Sequence, residues 1–299
     1  MQQLEYKGTV IKECFFERKN INKFEAIFTQ GNGYLGIRNA LEEHYVGEIR
    51  DTFITGTFNK ASEEEVTELP NIADVSAVKI VVDGEEFSLT EGNIISYERF
   101  LDLSTGETQR RVEWESKKGT KLNLVFRRFV SLDNEHIFVQ KIELLCDKDA
   151  NIIIESGIDG SVTNSGAMHF EDIQRRVFEG KYMEYIAKTT QSHVKVIQGA
   201  VCCLNKEAAV IPVMGRRTLA NRYSLKVNAN EKLEFEKKSI FFSERDKEFT
   251  YLEEENRLEE IKKESAKLIR ELEELSYDEL FKRSESKWKE YFDKSKIDI

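Results

Sequence analysis

The fold is decided by the stretch Phe28-Thr29-Gln30-Gly31-Asn32-Gly33-Tyr34-Leu35-Gly36-Ile37-Arg38-Asn39, which has two incompatible interpretations. Its glycines match the G-x-G-x-x-G pattern, which can place a dinucleotide pyrophosphate at a helix N-terminus. The pair Asn32-Gly33 also favours a two-residue hairpin turn, in which both central residues have positive φ. That hairpin would join a strand from Phe24 to Gln30 with a strand from Tyr34 to Leu41.

The surrounding sequence favours the hairpin. A dinucleotide site needs a helix after Gly36 within a βαβ unit, and the segment from Ile37 to His44 is too short for that helix. Alternating and β-branched segments instead recur about every ten residues from Tyr6 to about Ser243, with turn signals between them. Adjacent hairpins indicate antiparallel pairing, because parallel strands need long crossovers that are usually helical.

The number of predicted strands is too large for one open sheet, so the chain is expected to be mainly β, with two packed antiparallel sheets. Strands are predicted at Val78–Val82, Thr108–Glu115, Lys121–Val130, His136–Leu145, Asn151–Ser156, Tyr182–Thr190, His193–Leu204, Arg222–Val227 and Leu233–Phe242. The glycine-rich segment from Gly157 to Glu179 is predicted to be a long loop, and long loops in compact domains usually have a functional or contact-making role.

The composition changes at about Asp246, which predicts a β-sandwich domain over residues 1–245 and a helical segment over residues 246–299. The second part is rich in Glu and Lys, and its apolar residues recur at helical spacing. Ser276-x-x-Glu279 is a capping box that predicts the start of a second helix. That helix carries an aromatic cluster that we expect to dock against a large partner: Trp288, Tyr291 and Phe292. The helix runs to the end of the sequence without a capping glycine, so we expect the chain to be part of a longer protein.

The charge and composition of the sequence argue against several classes of function. The 299 residues carry a formal net charge of -10, which opposes binding to nucleic acids and anionic membranes. The N-terminus lacks the basic and apolar regions of a signal peptide, and no apolar run approaches about 18 residues. The four cysteines form no C-x-x-C motif, which predicts unpaired thiols in a reducing cytoplasm. No two of the four histidines have metal-ligand spacing, so neither a metal site nor a cofactor is predicted.

Candidate functional residues lie in the long predicted loop. They are Asp159, Asn164, His169 and Phe170, which we expect to form a substrate rim or an interface. The sequence has neither the G-x-S-x-G motif nor the lysine, H-R-D and D-F-G set of kinases. Its many acidic residues do not identify a carboxylate pair by spacing. No catalytic residue is therefore predicted.

Several stretches together resemble glycoside hydrolase family 65, which includes maltose, trehalose, kojibiose and nigerose phosphorylases. The opening motif is Phe24-Glu25-x-x-Phe28 followed by Gly31-Asn32-Gly33-Tyr34-Leu35-Gly36-x-Arg38. The later stretches, in family order, are Thr52-Phe53-Ile54-x-Gly56-x-Phe58, Leu69-Pro70-Asn71, Leu101-Asp102-Leu103-x-Thr105-Gly106 with Arg110, Gly157-Ile158-Asp159-Gly160-x-Val162-Thr163-Asn164 with His169, and Trp288 to Ile299. One departure is Asn39, where many members have glycine.

The resemblance implies an N-terminal β-sandwich of the galactose-mutarotase-like supersandwich type, followed by two C-terminal linker helices. In the family these precede an (α/α)6 barrel that holds the catalytic acid and the phosphate site. The implied reaction is inverting phosphorolysis of an α-linked glucose disaccharide. The implied partners are the barrel, the disaccharide, inorganic phosphate and, since family members are often dimers, a second copy of the chain.

Two alternatives remain open from the sequence. The first is a stand-alone carbohydrate-binding module, whose aromatic platforms would be Tyr34, Tyr97, Tyr182 and Tyr185. The second is an enzyme of the aldose-epimerase type, which would need a His and Glu pair. Glu155 with His136 or His169 could supply that pair.

Overall fold

The computed structural model describes residues 2–295, which fold mainly into antiparallel strands. Strands β1 to β18 run in chain order as Leu4–Lys7, Val10–Glu13, Gln30–Gly31, Leu35–Ile37, Thr52–Ile54, Val78–Val82, Glu85–Glu86, Asn93–Asp102, Glu107–Glu115, Lys121–Val130, Ile137–Cys146, Ala150–Asp159, Phe170–Phe178, Tyr182–Thr189, Lys195–Leu204, Ala209–Met214, Thr218–Val227 and Leu233–Ser243. The helices α1, α2 and α3 are Ile21–Ile27, Glu254–Glu273 and Tyr277–Ser295, and short 3-10 turns lie at Arg18–Asn20 and Lys247–Phe249.

Two packed sheets form the body of the fold, as predicted. A ten-stranded sheet has the order β1-β2-β8-β9-β10-β11-β18-β15-β14-β13, and a five-stranded sheet has the order β16-β17-β12-β6-β7. Side chains at alternate positions of β10, such as Leu122, Leu124 and Phe126, enter the core between the sheets. This alternation follows from the period of two along a strand. A small third sheet, β3-β4-β5, adjoins the sandwich.

The two C-terminal helices cover the outer face of the ten-stranded sheet. Ile261, Ile269 and Leu272 of α2 and Leu280 of α3 belong to a second apolar cluster with strand residues such as Val139. The capping box before α3 is confirmed, since the Ser276 N–H donates to Glu279 Oε2 at 2.9 Å and the Glu279 N–H donates to Ser276 Oγ at 3.3 Å. Within residues 2–295, no helix has the length and apolar character needed to cross a membrane. The last four residues of the predicted segment 246–299 lie outside the described residues.

The hairpin at Asn32-Gly33 is confirmed, but its geometry and its first strand differ from the prediction. Only Gly33 has positive φ, at 92°, and Asn32 Oδ1 accepts hydrogen bonds from the backbone N–H groups of the two residues that follow Gly33. The predicted strand over Phe24–Gln30 is wrong, because Ile21–Ile27 is the helix α1. The buried residues of this segment are Ile21, Phe24, Glu25 and Phe28, and their spacing of i, i+3, i+4 and i+7 is that of one helix face rather than the alternation of a strand.

The predicted long loop from Gly157 to Glu179 is also largely wrong. Strand β12 continues to Asp159, and β13 occupies Phe170–Phe178, so the loop covers only residues 160–169. Strand β13 is an edge strand with a register shift after Asp172, and most of its side chains are partly exposed. An edge strand with this burial has little alternation in its sequence, which explains the missed prediction. Strand β16, which was also missed, is likewise an edge strand. The strands β1, β2 and β8 were not predicted individually either.

A buried ion network fixes the segment that follows β4. Arg110 has 2% exposure, and its guanidinium donates to Glu43 at 2.6 Å and to Glu42 at 2.7 Å. Beside it, Arg128 donates to Asn39 Oδ1 and to the Ala40 carbonyl. Asn39 therefore serves as a buried hydrogen-bonding residue.

We predict that Arg110→Met lowers the free energy of unfolding by about 3–5 kcal/mol, because two buried carboxylates then lose their partner. Arg111→Met is the matched control. That side chain is 55% exposed and pairs with Glu98 at 3.3 Å, so its loss should cost roughly 1 kcal/mol or less. Urea unfolding measures both changes, and equal stability of the two variants would contradict the structural role of the network.

Glu25 of α1 supports the same segment. Its Oε2 accepts a hydrogen bond from the Ile49 N–H at 3.2 Å and from Arg38 Nε at 3.4 Å. Within residues 2–295, its Oε1 has no hydrogen-bond partner. Burial raises the pKa of this carboxyl above its ordinary value of 4.5.

We predict that Glu25→Gln gains stability relative to wild type as the pH rises from about 4 to about 7. The raised pKa means that the folded wild type binds more protons than the unfolded chain within that window, so wild-type stability falls with rising pH. The variant lacks this titration. Unfolding curves at both pH values measure the difference, and a parallel pH dependence of the two proteins would disprove it.

Candidate functional site

A cleft of about 610 Å³ opens at the end of β12, where three loops meet. The loops lie between β4 and β5, between β5 and β6, and between β12 and β13. The cleft is lined by His44, Glu48, Ile49, Arg50, Asp51, Phe53, Glu68, Asn71, Asp159, Ser161, Val162, Thr163, Asn164 and Ser165. Loops carried by a rigid sheet edge are the usual location of binding residues.

Two of the residues predicted from the sequence, Asp159 and Asn164, line this cleft. Asp159 Oδ1 accepts hydrogen bonds from the backbone N–H and the hydroxyl of Ser161, at 2.8 and 2.5 Å. Asn164 connects two loops, since its Nδ2 donates to the Leu69 carbonyl at 3.0 Å and its Oδ1 accepts from the Asn71 N–H at 2.6 Å. These hydrogen bonds within the chain hold the loop of residues 160–169 in place.

His169, the third predicted residue, is buried at the edge of the cleft with a defined tautomer. Asn59 Oδ1 accepts from the backbone N–H groups of Gln191 and Ser192, so the Asn59 amide must direct its Nδ2 to His169 Nδ1, at 3.1 Å. The imidazole proton therefore resides on Nε2, which lies 2.8 Å from Glu68 Oε1 and donates to it. The pair joins the loop of residues 160–169 to a cleft-lining carboxylate.

Phe170, the fourth predicted residue, lies beneath the cleft rather than in it. It is buried and lines an enclosed cavity of about 10 Å³ together with Tyr185 and Gln198. A cavity of that size holds no more than about one water molecule. Phe170 is thus placed as a core residue.

Sequence reasoning missed the strongest polar features of the cleft wall, Arg50 and Asp51. Arg50 is held by Glu48, with Nε to Oε1 at 2.8 Å, and by Ser76, with Nη1 to Oγ at 3.0 Å. Burial raises the pKa of the Asp51 carboxyl, which accepts from Asn71 Nδ2 at 3.2 Å. Arg50 and Asp51 belong to no sequence motif that would identify them. The only nearby motif in the sequence analysis was the turn that contains Asn71.

The cleft can bind a polyhydroxylated ligand, because it combines carboxylate, amide and guanidinium groups with the ring of Phe53. The three loops that form the cleft also carry exposed apolar side chains, of which Ile49 lines the cleft itself. The five are Val46, Ile49, Phe58, Val66 and Met168.

The aromatic cluster of α3 is partly covered by this chain itself. The Trp288 ring packs against Gly106, where an added Cβ would lie 2.5 Å from ring atoms. Gly106 has φ of 71°, so both its conformation and this contact favour glycine. Tyr291 is 59% exposed and Phe292 is partly exposed. Docking of this cluster on a partner stays a prediction.

The residues of the two alternatives are not brought together. Glu155 pairs with Arg222 at 2.7 Å, whereas His136 contacts Glu248 and His169 contacts Glu68. The proposed aromatic platforms Tyr97, Tyr182 and Tyr185 are buried, and Tyr34 is half-buried with its hydroxyl directed at Asp246.

Several known proteins match most of the chain, and two of them are kojibiose phosphorylases. A kojibiose phosphorylase from Halothermothrix orenii is 41% identical over 251 residues, which is 82% of this chain and 32% of the relative. A kojibiose phosphorylase from Escherichia coli strain K12 is 30% identical over 295 residues, which is 98% of this chain and 38% of the relative. The chain thus spans only about a third of the length of these relatives.

A solved structure described as a putative kojibiose phosphorylase from human microbiome has the same fold, with a TM-score of 0.86 at 18% identity. It is matched over 97% of this chain and 39% of its own. Residues 11–291 match the family described as glycosyl hydrolase family 65, N-terminal domain. The chain therefore belongs to glycosyl hydrolase family 65 and comprises an N-terminal domain of that family.

Proposed function

We propose that this chain is the non-catalytic domain of a disaccharide phosphorylase, and that the chemistry resides in a barrel outside the 299 residues. The observation that carries this proposal is the coverage: the chain corresponds to 32% and 38% of two proteins named kojibiose phosphorylase. The parent enzyme would cleave an α-linked glucose disaccharide with phosphate. A general acid would protonate the leaving oxygen while phosphate attacks the opposite face, in place of the water used by inverting hydrolases.

The domain would act as a scaffold. Its polar cleft, formed by loops that carry exposed apolar side chains, is suited to a surface that joins the barrel, or a second copy, beside a sugar-binding site. The aromatic cluster of α3, Trp288, Tyr291 and Phe292, would provide a further contact with the barrel. We also propose a cytoplasmic location, which is supported by four cysteines that are all unpaired thiols.

We predict that the purified chain forms no glucose 1-phosphate from kojibiose, trehalose, maltose or nigerose with inorganic phosphate. The physical reason is that a general acid and a phosphate site are both required, and we place them outside this chain. A coupled assay for glucose 1-phosphate measures the reaction, with a full-length family member as the positive control. Turnover by the purified chain would refute the proposal.

A second function, sugar binding by the domain itself, is favoured by the composition of the cleft. Asp51 and Asp159 present carboxylate oxygens beside Arg50 and the Phe53 ring. Hydrogen-bonding groups that converge next to an aromatic ring are typical of sites for neutral sugars. This function is compatible with the scaffold role, because the cleft would then hold part of the parent's substrate.

We predict that titration calorimetry detects binding of glucose disaccharides, and that Asp51→Asn weakens it by about tenfold. One hydrogen bond to a charged group contributes about 1.5–3 kcal/mol, and about 1.4 kcal/mol corresponds to tenfold. Asp293→Asn, on the exposed side of α3, is the matched control and should bind as the wild type does. Absence of binding, or equal affinity of the two variants, would remove this second function.

A further inference from the structure

His136 lies at a junction of four segments. They are the hairpin loop at residues 32–34, the start of β11, the end of β18 and the 3-10 turn that leads to α2. Its ring stacks on Phe242 with centroids 4.3 Å apart and meets the edge of Tyr34 at 4.7 Å. These contacts fix the plane of the imidazole, as packing does for preorganised ligand sites.

The hydrogen bonds of His136 leave two acceptors facing each other. Its Nδ1 lies 2.8 Å from the Phe241 carbonyl, which can only accept, so Nδ1 carries a proton. The neutral ring then has a lone pair on Nε2, yet Nε2 lies 2.8 Å from Glu248 Oε1. A lone pair and a carboxylate at this distance require a cation between them, which is either a proton or a metal ion.

The pair formed by His169 and Glu68 is the opposite case. There the Asn59 amide donates to Nδ1, so the neutral ring already carries its proton on Nε2 and donates it to the carboxylate. In both pairs Nε2 lies 2.8 Å from the carboxylate oxygen, but Nε2 of neutral His169 carries a proton and Nε2 of neutral His136 does not. Only the junction pair needs an additional cation.

A third ligand lies beside the junction pair. Asp246 Oδ2 accepts from the Ser243 N–H at 2.7 Å and from the Tyr34 hydroxyl at 3.1 Å, and it lies 4.0 Å from His136 Nδ1. The donor atoms of His136, Asp246 and Glu248 lie within 4.8 Å of one another. Within residues 2–295 this is the one such group of three His, Cys, Asp or Glu side chains.

We propose that His136, Asp246 and Glu248 bind a divalent transition-metal ion, with Zn²⁺ as the fitting probe. One imidazole and two carboxylates are suitable ligands for Zn²⁺, and their net charge of about -2 balances the ion. The bond from Nδ1 to a backbone carbonyl is the arrangement that metal-binding histidines usually have. Bonds of about 2.0–2.2 Å place tetrahedral ligands roughly 3.4 Å apart, and the side chain of Glu248, with 46% exposure, can rotate to reach that position.

The ion would tie the hairpin loop and the sandwich to the turn that begins the helical segment. Tyr34 belongs to the hairpin, His136 to the start of β11, and Asp246 and Glu248 to the connection to α2. A ligand that binds only the folded state stabilises it by mass action. The site is therefore structural, and it is independent of the function proposed for the cleft.

Metal-free protein, prepared with a chelator and then dialysed, provides the test. Titration calorimetry with ZnCl₂ should give one site per chain, and Zn²⁺ should raise the thermal unfolding temperature. Co²⁺ should give visible absorption bands at the same stoichiometry. Glu248→Gln, at a half-exposed position, should weaken binding at least tenfold and abolish the Co²⁺ bands, while circular dichroism confirms its fold.

Glu68→Gln is the matched control, because it alters the other histidine–glutamate pair, whose proton is already in place. It should bind Zn²⁺ as tightly as the wild type. The proposal is overturned if the wild type binds no Zn²⁺, or if Glu248→Gln binds as tightly as Glu68→Gln. In either case a shared proton, rather than a metal ion, joins His136 to Glu248.

Discussion

The buried guanidinium of Arg110 constrains more of this structure than any single apolar contact. An isolated charge at this depth would cost several kcal/mol, so the chain must bring carboxylates to it. Glu42 and Glu43 supply these carboxylates from the segment between β4 and β5 of the small third sheet. Because both must reach one planar group, the segment cannot slide along the core. The next residues, which form one wall of the cleft, are positioned as a consequence.

A second buried cation links the two large sheets. Lys237 of β18 is fully buried and donates to the Val75 carbonyl, to Ser156 Oγ and to the Gly157 carbonyl. Burial lowers the pKa of this amine to about 8. Apolar packing between the sheets is not directional, whereas these bonds accept only one relative position. The sandwich therefore combines a large apolar core with a few polar connections that fix its register.

The scaffold role that we propose needs a surface whose groups keep their positions without a ligand. The three cleft loops rest on strands whose register is fixed from within, so their polar groups keep their positions without a ligand. Asn164 and the pair of His169 with Glu68 extend that order to the outermost loop. A preorganised surface is what a scaffold for a catalytic partner requires, since ordering loops on association would reduce affinity.

The sequence by itself determined the elements whose signals are local. The alternation of β10, the capping box of Ser276 and Glu279, and the hairpin turn at Asn32-Gly33 depend on neighbours a few positions away. The two-sheet class and the family followed from many such signals in order.

Only the tertiary structure decided the conformation of α1, the edge strands and the two sites. Helix α1 was mistaken for a strand because its conformation depends on what Phe24 and Phe28 contact, and the edge strands β13 and β16 lack an alternating pattern because most side chains on both of their faces are partly or fully exposed. The cleft and the junction at His136 join residues about a hundred positions apart, and the protonation of each histidine depends on partners from distant segments. Local sequence encodes backbone preference, whereas a site is created only when packing brings remote groups within hydrogen-bonding distance.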